Sequence, residues 1–192
     1  MTAILISGPA MEPVSLSEAK AHLRVDTSDE DTLISSLITA ARIHVELSSS
    51  KVLITQSWKI YFDRWPSKSF CEIPVAPLQG ISAVSVFDAQ DNSESVDPAG
   101  WFADTVSVTG RLVRRFAALW PDPARAANGI EIALTAGYGD TSADVPQTLR
   151  QAILLLVAHW FETREPVVLG EGAICVPLAV DALIAPSRNV RL

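Results

Sequence analysis

The chain has 192 residues, 48% hydrophobic and 19% charged, with a formal net charge of −7. That length suits one domain, or one domain with an insertion, and the mixture is too apolar for global disorder. Non-specific nucleic-acid binding needs many phosphate-neutralising cations, and 15 Lys and Arg against 22 Asp and Glu make a poor candidate for it.

The acidity suits an ordinary soluble bacterial protein, and equally a surface that DNA must slide past without sticking. Cys71 and Cys175 stand far apart and outside metal-ligand spacing, which favours two buried free thiols over a disulfide. Residues 1–9 lack the basic start and long apolar core of a signal peptide. No run reaches the ~18 apolar residues of a membrane span. The chain is expected to be made and used in the cytoplasm, away from membranes.

In chain order, Pro13 to Leu23 reads as a short helix. Ser15 can cap it, and Glu18 three residues later completes a capping box. Asp26 to Asp31 is an acidic joint that puts negative charge at the first turn of the next helix, where the dipole favours it. From about Asp29 to Ser48, Leu33, Ile34, Leu37, Ile38, Ala41 and Val45 recur at three- and four-residue steps. That is an amphipathic helix roughly 30 Å long.

The period then changes to two. Ile54, Trp58, Ile60 and Phe62 point one way while Thr55, Ser57, Lys59 and Tyr61 point the other, a half-buried strand. Further strands are expected over Ile81–Phe87, Trp101–Val108, Gly110–Phe116 and Ile130–Thr135, with a turn at Asp88–Asn92. A long, largely apolar helix follows from Val145 to about Pro166, with Pro146 in its first turn and a charged tip at Glu162, Arg164 and Glu165. Beyond it, Val167 to Leu192 is too apolar for a solvated linker and too irregular for a fold of its own. The expected class is α+β: a helical core of one short and two long helices, a β-rich insertion, and an extended C-terminal tail. The expected boundaries are 1–51 for the N-terminal helical part, 52–135 for the insertion, 136–166 for the long core helix and 167–192 for the tail.

Catalytic patterns are not found. His22, His44 and His159 all fall on helices without the paired spacing of a zinc site, and His159 with Glu162 reads more plainly as a helix-end polar pair. Gly137-Tyr138-Gly139 lacks a nucleophile and fits a tight strand-to-helix connection. Gly170-Glu171-Gly172 is too short to cradle phosphate. The carboxylates form no acid–base pair. No catalytic residue, cofactor or metal is therefore assigned. Arg111, Arg114 and Arg115, next to Phe116, form the one positive cluster, suited to DNA or an acidic partner but more simply a solvated strand face. Trp58, Trp65, Trp101, Trp120 and Trp160 are read first as packing anchors.

The motifs that carry a resemblance run in order along nearly the whole chain. They are Glu18-Ala19-Lys20-Ala21-His22-Leu23-Arg24, Asp29-Glu30-Asp31, Ala41-Arg42-Ile43-His44-Val45-Glu46 and Gln56-Ser57-Trp58. Trp65-Pro66, Trp120-Pro121, Ala136-Gly137-Tyr138-Gly139, Val145-Pro146 with Leu149-Arg150, and Trp160-Phe161-Glu162 with Arg164-Glu165 complete the set. In this arrangement the chain resembles the phage head–tail connector, or adaptor, proteins of long-tailed phages and gene transfer agents.

That resemblance implies a structural, non-enzymatic virion protein of the neck, assembled in the host cytoplasm. It implies a dodecameric ring under the portal protein that extends the DNA channel without specific DNA binding and offers a platform to a neck or tail-completion (stopper) protein. It further implies a portal-engaging C-terminal segment, carried onto Leu178, Leu183, Ile184, Arg188 and Arg191. A tail that orders only on docking would keep subunits monomeric until a filled head exists. Proteolysis of the isolated subunit would then clip it after about Arg164. The alternatives are a stopper one step further down, or a hydrolase or carbohydrate-binding module with Trp65, Trp101 or Trp120 as a sugar platform.

Overall fold

The computed structural model describes residues 1–66, 69–163 and 177–188. Over these the protein is α+β, with four α-helices and two antiparallel sheets. It divides into two compact units, one of residues 1–10 and 55–138, the other of residues 11–54 and 139–192.

The first unit is built on strands. β1 (Thr2–Ser7), β2 (Gln56–Phe62), β4 (Leu78–Phe87), β5 (Ser93–Ser95) and β8 (Ile130–Ala136) form a sheet in the order β1-β2-β8-β4-β5. β3 (Phe70–Glu72), β6 (Trp101–Asp104) and β7 (Arg111–Arg114) form the second, in the order β3-β7-β6. β8 alternates cleanly, burying Ile130, Ile132, Leu134 and Ala136, because period-2 apolar residues all fall on one face of a strand. Its other face carries Glu131, which sits opposite Tyr61 of β2, accepts the Tyr61 hydroxyl at 2.6 Å and meets Lys59 Nζ at 2.8 Å. Leu78 lies so close to Gly110 that a β-carbon there would collide with its side chain.

β1 is a strand that the alternation rule does not reveal. All six of its residues are exposed and it pairs only with β2, so no buried face imprints a pattern on its sequence. The expected strands over Trp101–Val108 and Gly110–Phe116 are shorter than their sequence signal, ending at Asp104 and Arg114. Asp104 is the reason on one side: it accepts from the backbone of Val106 and Ser107, the Ser107 hydroxyl and the Arg111 guanidinium, which folds residues 105–110 into a turn. These bonds hold the Asp104 carboxyl far below the usual carboxylate range, with the Ser107 hydroxyl the largest contributor.

The second unit is helical. α1 (Leu16–Leu23) starts with the full capping box: Glu18 N–H donates to Ser15 Oγ at 3.2 Å, and Ser15 N–H donates to Glu18 Oε2 at 3.0 Å. It stops at Arg24, which takes the left-handed conformation and donates its N–H back to Ala21 and Lys20. α2 (Asp31–Ser49) buries Ile34, Ile38, Ala41 and Val45 on one stripe. α3 (Gln147–Glu162) begins after Pro146 and buries Leu149, Ala152, Ile153, Leu156 and Val157. α4 (Leu178–Ile184) completes the unit and runs into a 3-10 turn at Ala185–Ser187.

α4 corrects the expected extended tail. Residues 178–184 are helical, with Val180 and Ile184 wholly buried against the unit's own helices. Each such burial stabilises by about 1.5–3 kcal/mol, enough to hold two turns that are too short to be stable alone. The expected end of α3 at Arg164 to Pro166, and residues 167–176 and 189–192 of the tail, lie outside the described residues, as does Cys175.

Candidate functional site

The C-terminal segment is the expected docking element, and its five candidate residues fall in different environments. Leu178 opens α4 with 86% of its surface exposed. Leu183 is half-buried, and Ile184 has no exposed surface at all. Arg188 reaches back to the helices: its Nε donates to the Ser48 carbonyl at 3.0 Å and its Nη2 meets Asp181 Oδ1 at 3.0 Å. Arg191 lies outside the described residues. So the structure puts Leu178 and Arg188 on the surface, and turns Ile184 inward, where an i, i+4 pair with Val180 seats α4 on the chain itself.

The helical unit also holds a buried polar network that sequence spacing reveals only in part. Arg42 on α2 is only 8% exposed. Its Nε meets Glu12 at 2.8 Å and its Nη1 meets Glu46, one turn on, at 2.7 Å. Glu12 also accepts from Thr39 Oγ1 at 3.0 Å, and Glu46 accepts the Leu53 N–H at 3.0 Å. The guanidinium thus ties the segment before α1 and the segment after α2 to one helix. Burial pushes the Glu46 carboxyl up, against the opposing pull of the Leu53 N–H and Arg42. The i, i+4 spacing of Arg42 and Glu46 was readable in the sequence; Glu12, thirty positions away, was not. Nearby, Arg150 on α3 pairs with Glu18 and donates to the Pro13 carbonyl at 3.1 Å, a second tie onto the start of α1.

Of the histidines, His44 packs on an aromatic ring, while the buried His159 Nε2 has no hydrogen-bond partner among the described residues. His44 meets Trp160 edge-on, with ring centroids 6.0 Å apart. The His159 carbonyl accepts the Thr163 N–H at 3.0 Å at the end of α3. Among the described residues no three His, Cys, Asp or Glu side chains are placed to hold a metal ion. Among the same residues no helix is long and apolar enough to cross a membrane. Cys71 is buried, and desolvation pushes its thiol up to about 12.

In the strand unit the tryptophans are committed to one another. Trp65 and Trp120 stack at 4.3 Å between centroids, tilted by 47°. Trp65 donates to the Pro121 carbonyl at 2.8 Å and Trp120 to the Gly100 carbonyl at 3.2 Å, while Trp101 is buried. Trp65 and Trp120 each remain half-exposed. The basic cluster divides. Arg111 is consumed by Asp104, whereas Arg114 and Arg115 lie over the rings of Trp120 and Phe102 and have no carboxylate partner among the described residues.

Around residues 136–144 the glycines do the work expected of a tight connection. Gly137 has a φ of 141°, open to glycine but strained for other residues. Gly139 lies against Asp144, whose carboxylate accepts from the Thr141 N–H at 2.9 Å and hydroxyl at 2.8 Å; a β-carbon at Gly139 would collide with it.

A family model described as phage gp6-like head-tail connector protein matches residues 13–104. Residues 13–104 are thus similar to that connector family. That segment runs from the α1 capping box through the Arg42 network to β6, which is where the sequence motifs of the resemblance are densest. Solved structures extend the likeness beyond it. A chain in the neck of an empty GTA particle, computed with C6 symmetry, is 27% identical with a TM-score of 0.84, covering 100% of this chain and 97% of that one. Chains in the virion of a native gene transfer agent (GTA) particle and in the neck of a native GTA particle computed with C12 symmetry are each 26% identical, at TM-scores of 0.81 and 0.78 and the same coverage. A comparison with curated proteins found no match. The likeness to these chains thus spans both units and includes α4.

Proposed function

We propose that the chain is a structural head–tail adaptor in the neck of a phage or gene-transfer-agent particle. Twelve copies form a ring under the portal protein, DNA passes through the lumen without specific binding, and the far side receives a neck or tail-completion protein. The observation that carries this reading is the likeness to neck chains over the whole length, at 26–27% identity and TM-scores of 0.78 to 0.84, one of them in a twelve-fold neck. The net charge of −7 supports a lumen that repels phosphate.

Portal docking is assigned to residues 177–192. Leu178 supplies an exposed apolar contact, Arg188 and Arg191 supply charge for an acidic portal surface, and Leu183 and Ile184 act by anchoring α4. A ring repeats this small contact twelve times, so a weak single interface becomes stable attachment. The test mixes the purified chain with portal-bearing, DNA-filled heads and images the necks. A twelve-fold ring beneath the portal, lost when the chain is truncated after Thr163, is the expected result. Heads that stay bare, or a truncated chain that binds as well as the full one, would overturn the reading.

A further inference from the structure

The turn after β7 is the most exposed apolar feature of the strand unit, and it is rigidly built. Phe116 and Leu119 are fully exposed. Arg115 N–H donates to the Gly100 carbonyl at 3.0 Å, Ala118 N–H donates to the Arg115 carbonyl at 3.1 Å, and Ala117 holds a left-handed φ of 63°. Trp120, pinned by Gly100 and Trp65, closes the far end. A left-handed alanine costs about 1–3 kcal/mol unless its surroundings enforce it, so this shape is imposed, and it holds two large apolar side chains in water. Arg114 and Arg115 flank them. The feature is a knob with an apolar tip and basic shoulders on an otherwise acidic chain.

The helical unit carries an open, largely apolar depression with an acidic edge. A groove of about 680 Å³ along α1 is lined by Leu16, Ala21 and Val25, with Asp26 at its rim. Lys20 also faces it, but its charge is taken by Asp31 at 2.6 Å. Asp26 and Asp29, both exposed, leave the Val25–Asp31 side of the groove acidic, opposed only by Arg24. Phosphate groups have no use for the apolar tip, which argues against DNA as the occupant of the knob. An apolar groove with an acidic rim uses both tip and shoulders.

We propose that the knob of one copy seats in the α1 groove of the next, forming the seam of the adaptor ring. Knob and groove are different surfaces of one chain, so a one-way contact between copies is head-to-tail and closes into a ring when its rotation completes a full turn. The inference rests on the ring reading above and names its interface.

The test places p-benzoylphenylalanine at Phe116, assembles a mixture of ¹⁴N- and ¹⁵N-labelled full-length chains on portal-bearing heads, irradiates, and maps mixed-isotope cross-links. Links to residues 15–29 of a second copy are expected. Phe116→Asp, which alters only a solvated side chain, is expected to lower ring occupancy at least tenfold with an unchanged circular dichroism spectrum. Rings that form normally with Phe116→Asp, or mixed-isotope links that map elsewhere, would overturn the seam and leave the ring standing. Heads on which the unmodified chain forms no ring would overturn both.

Discussion

Replacing Arg42 by methionine keeps most of the buried stem and removes the charge that ties Glu12 and Glu46 to α2. The side chain is 10% exposed, and its bonds of 2.8 and 2.7 Å are charge-assisted, so their loss strands Glu46 in a site that already disfavours its ionised form. Breaking a buried pair from one side costs about 3–5 kcal/mol at pH 7. For a chain of this size that is a fall in Tm of roughly 10 °C. The pH dependence has a definite sign. The folded pKa of Glu46 lies above its ordinary value, so folding favours the protonated form: that contribution is complete below the unfolded pKa and is lost as pH rises through the folded one. Without the guanidinium the folded pKa climbs further, and the deficit of Arg42→Met should shrink between pH 7 and pH 5. Urea unfolding followed by circular dichroism at both values reads it directly. A deficit below about 1 kcal/mol at pH 7, or one that does not change on acidification, would refute the argument.

Other consequences are smaller and separable. Ser15→Ala removes half of the capping box and should cost about 1 kcal/mol in the same urea assay, while Ser17→Ala, one turn position away, should cost far less. Cys71, with its thiol held at about 12, should resist a thiol-specific dye at pH 8 in a Cys175→Ser background and react in full once guanidinium unfolds the chain. Leu178→Asp should leave the melting temperature within 2 °C of the parent, since the residue is 86% exposed, yet reduce binding to portal rings by about tenfold or more, measured by co-sedimentation.

Much of this architecture is written locally. The capping box at Ser15 and Glu18, the stripe from Ile34 to Val45 and the alternation of Ile130 to Ala136 each need only a few neighbouring residues to be read, because one face of each element is buried. β1 is silent for the opposite reason: with every residue exposed, nothing selects a period-2 pattern. α4 is hidden by its length, since seven helical residues after Pro177 carry too few turns to show a stripe, and its helix is held by Val180 and Ile184 meeting distant partners. The same holds for the rest of the C-terminal segment. The sequence places hydrophobic and basic residues there, but which of them face outward depends on how α4 seats on the other helices. The Arg42 network sits between the two cases, half legible in its i, i+4 pair and half fixed by the return of the chain at Glu12.

The central claim is that this chain works as a ring in a particle neck. Imaging portal-bearing, DNA-filled heads after addition of the purified full-length protein tests it most directly. The account predicts twelve copies in a closed ring beneath the portal, with α4 turned toward it; heads whose portals remain uncovered at saturating protein would contradict it.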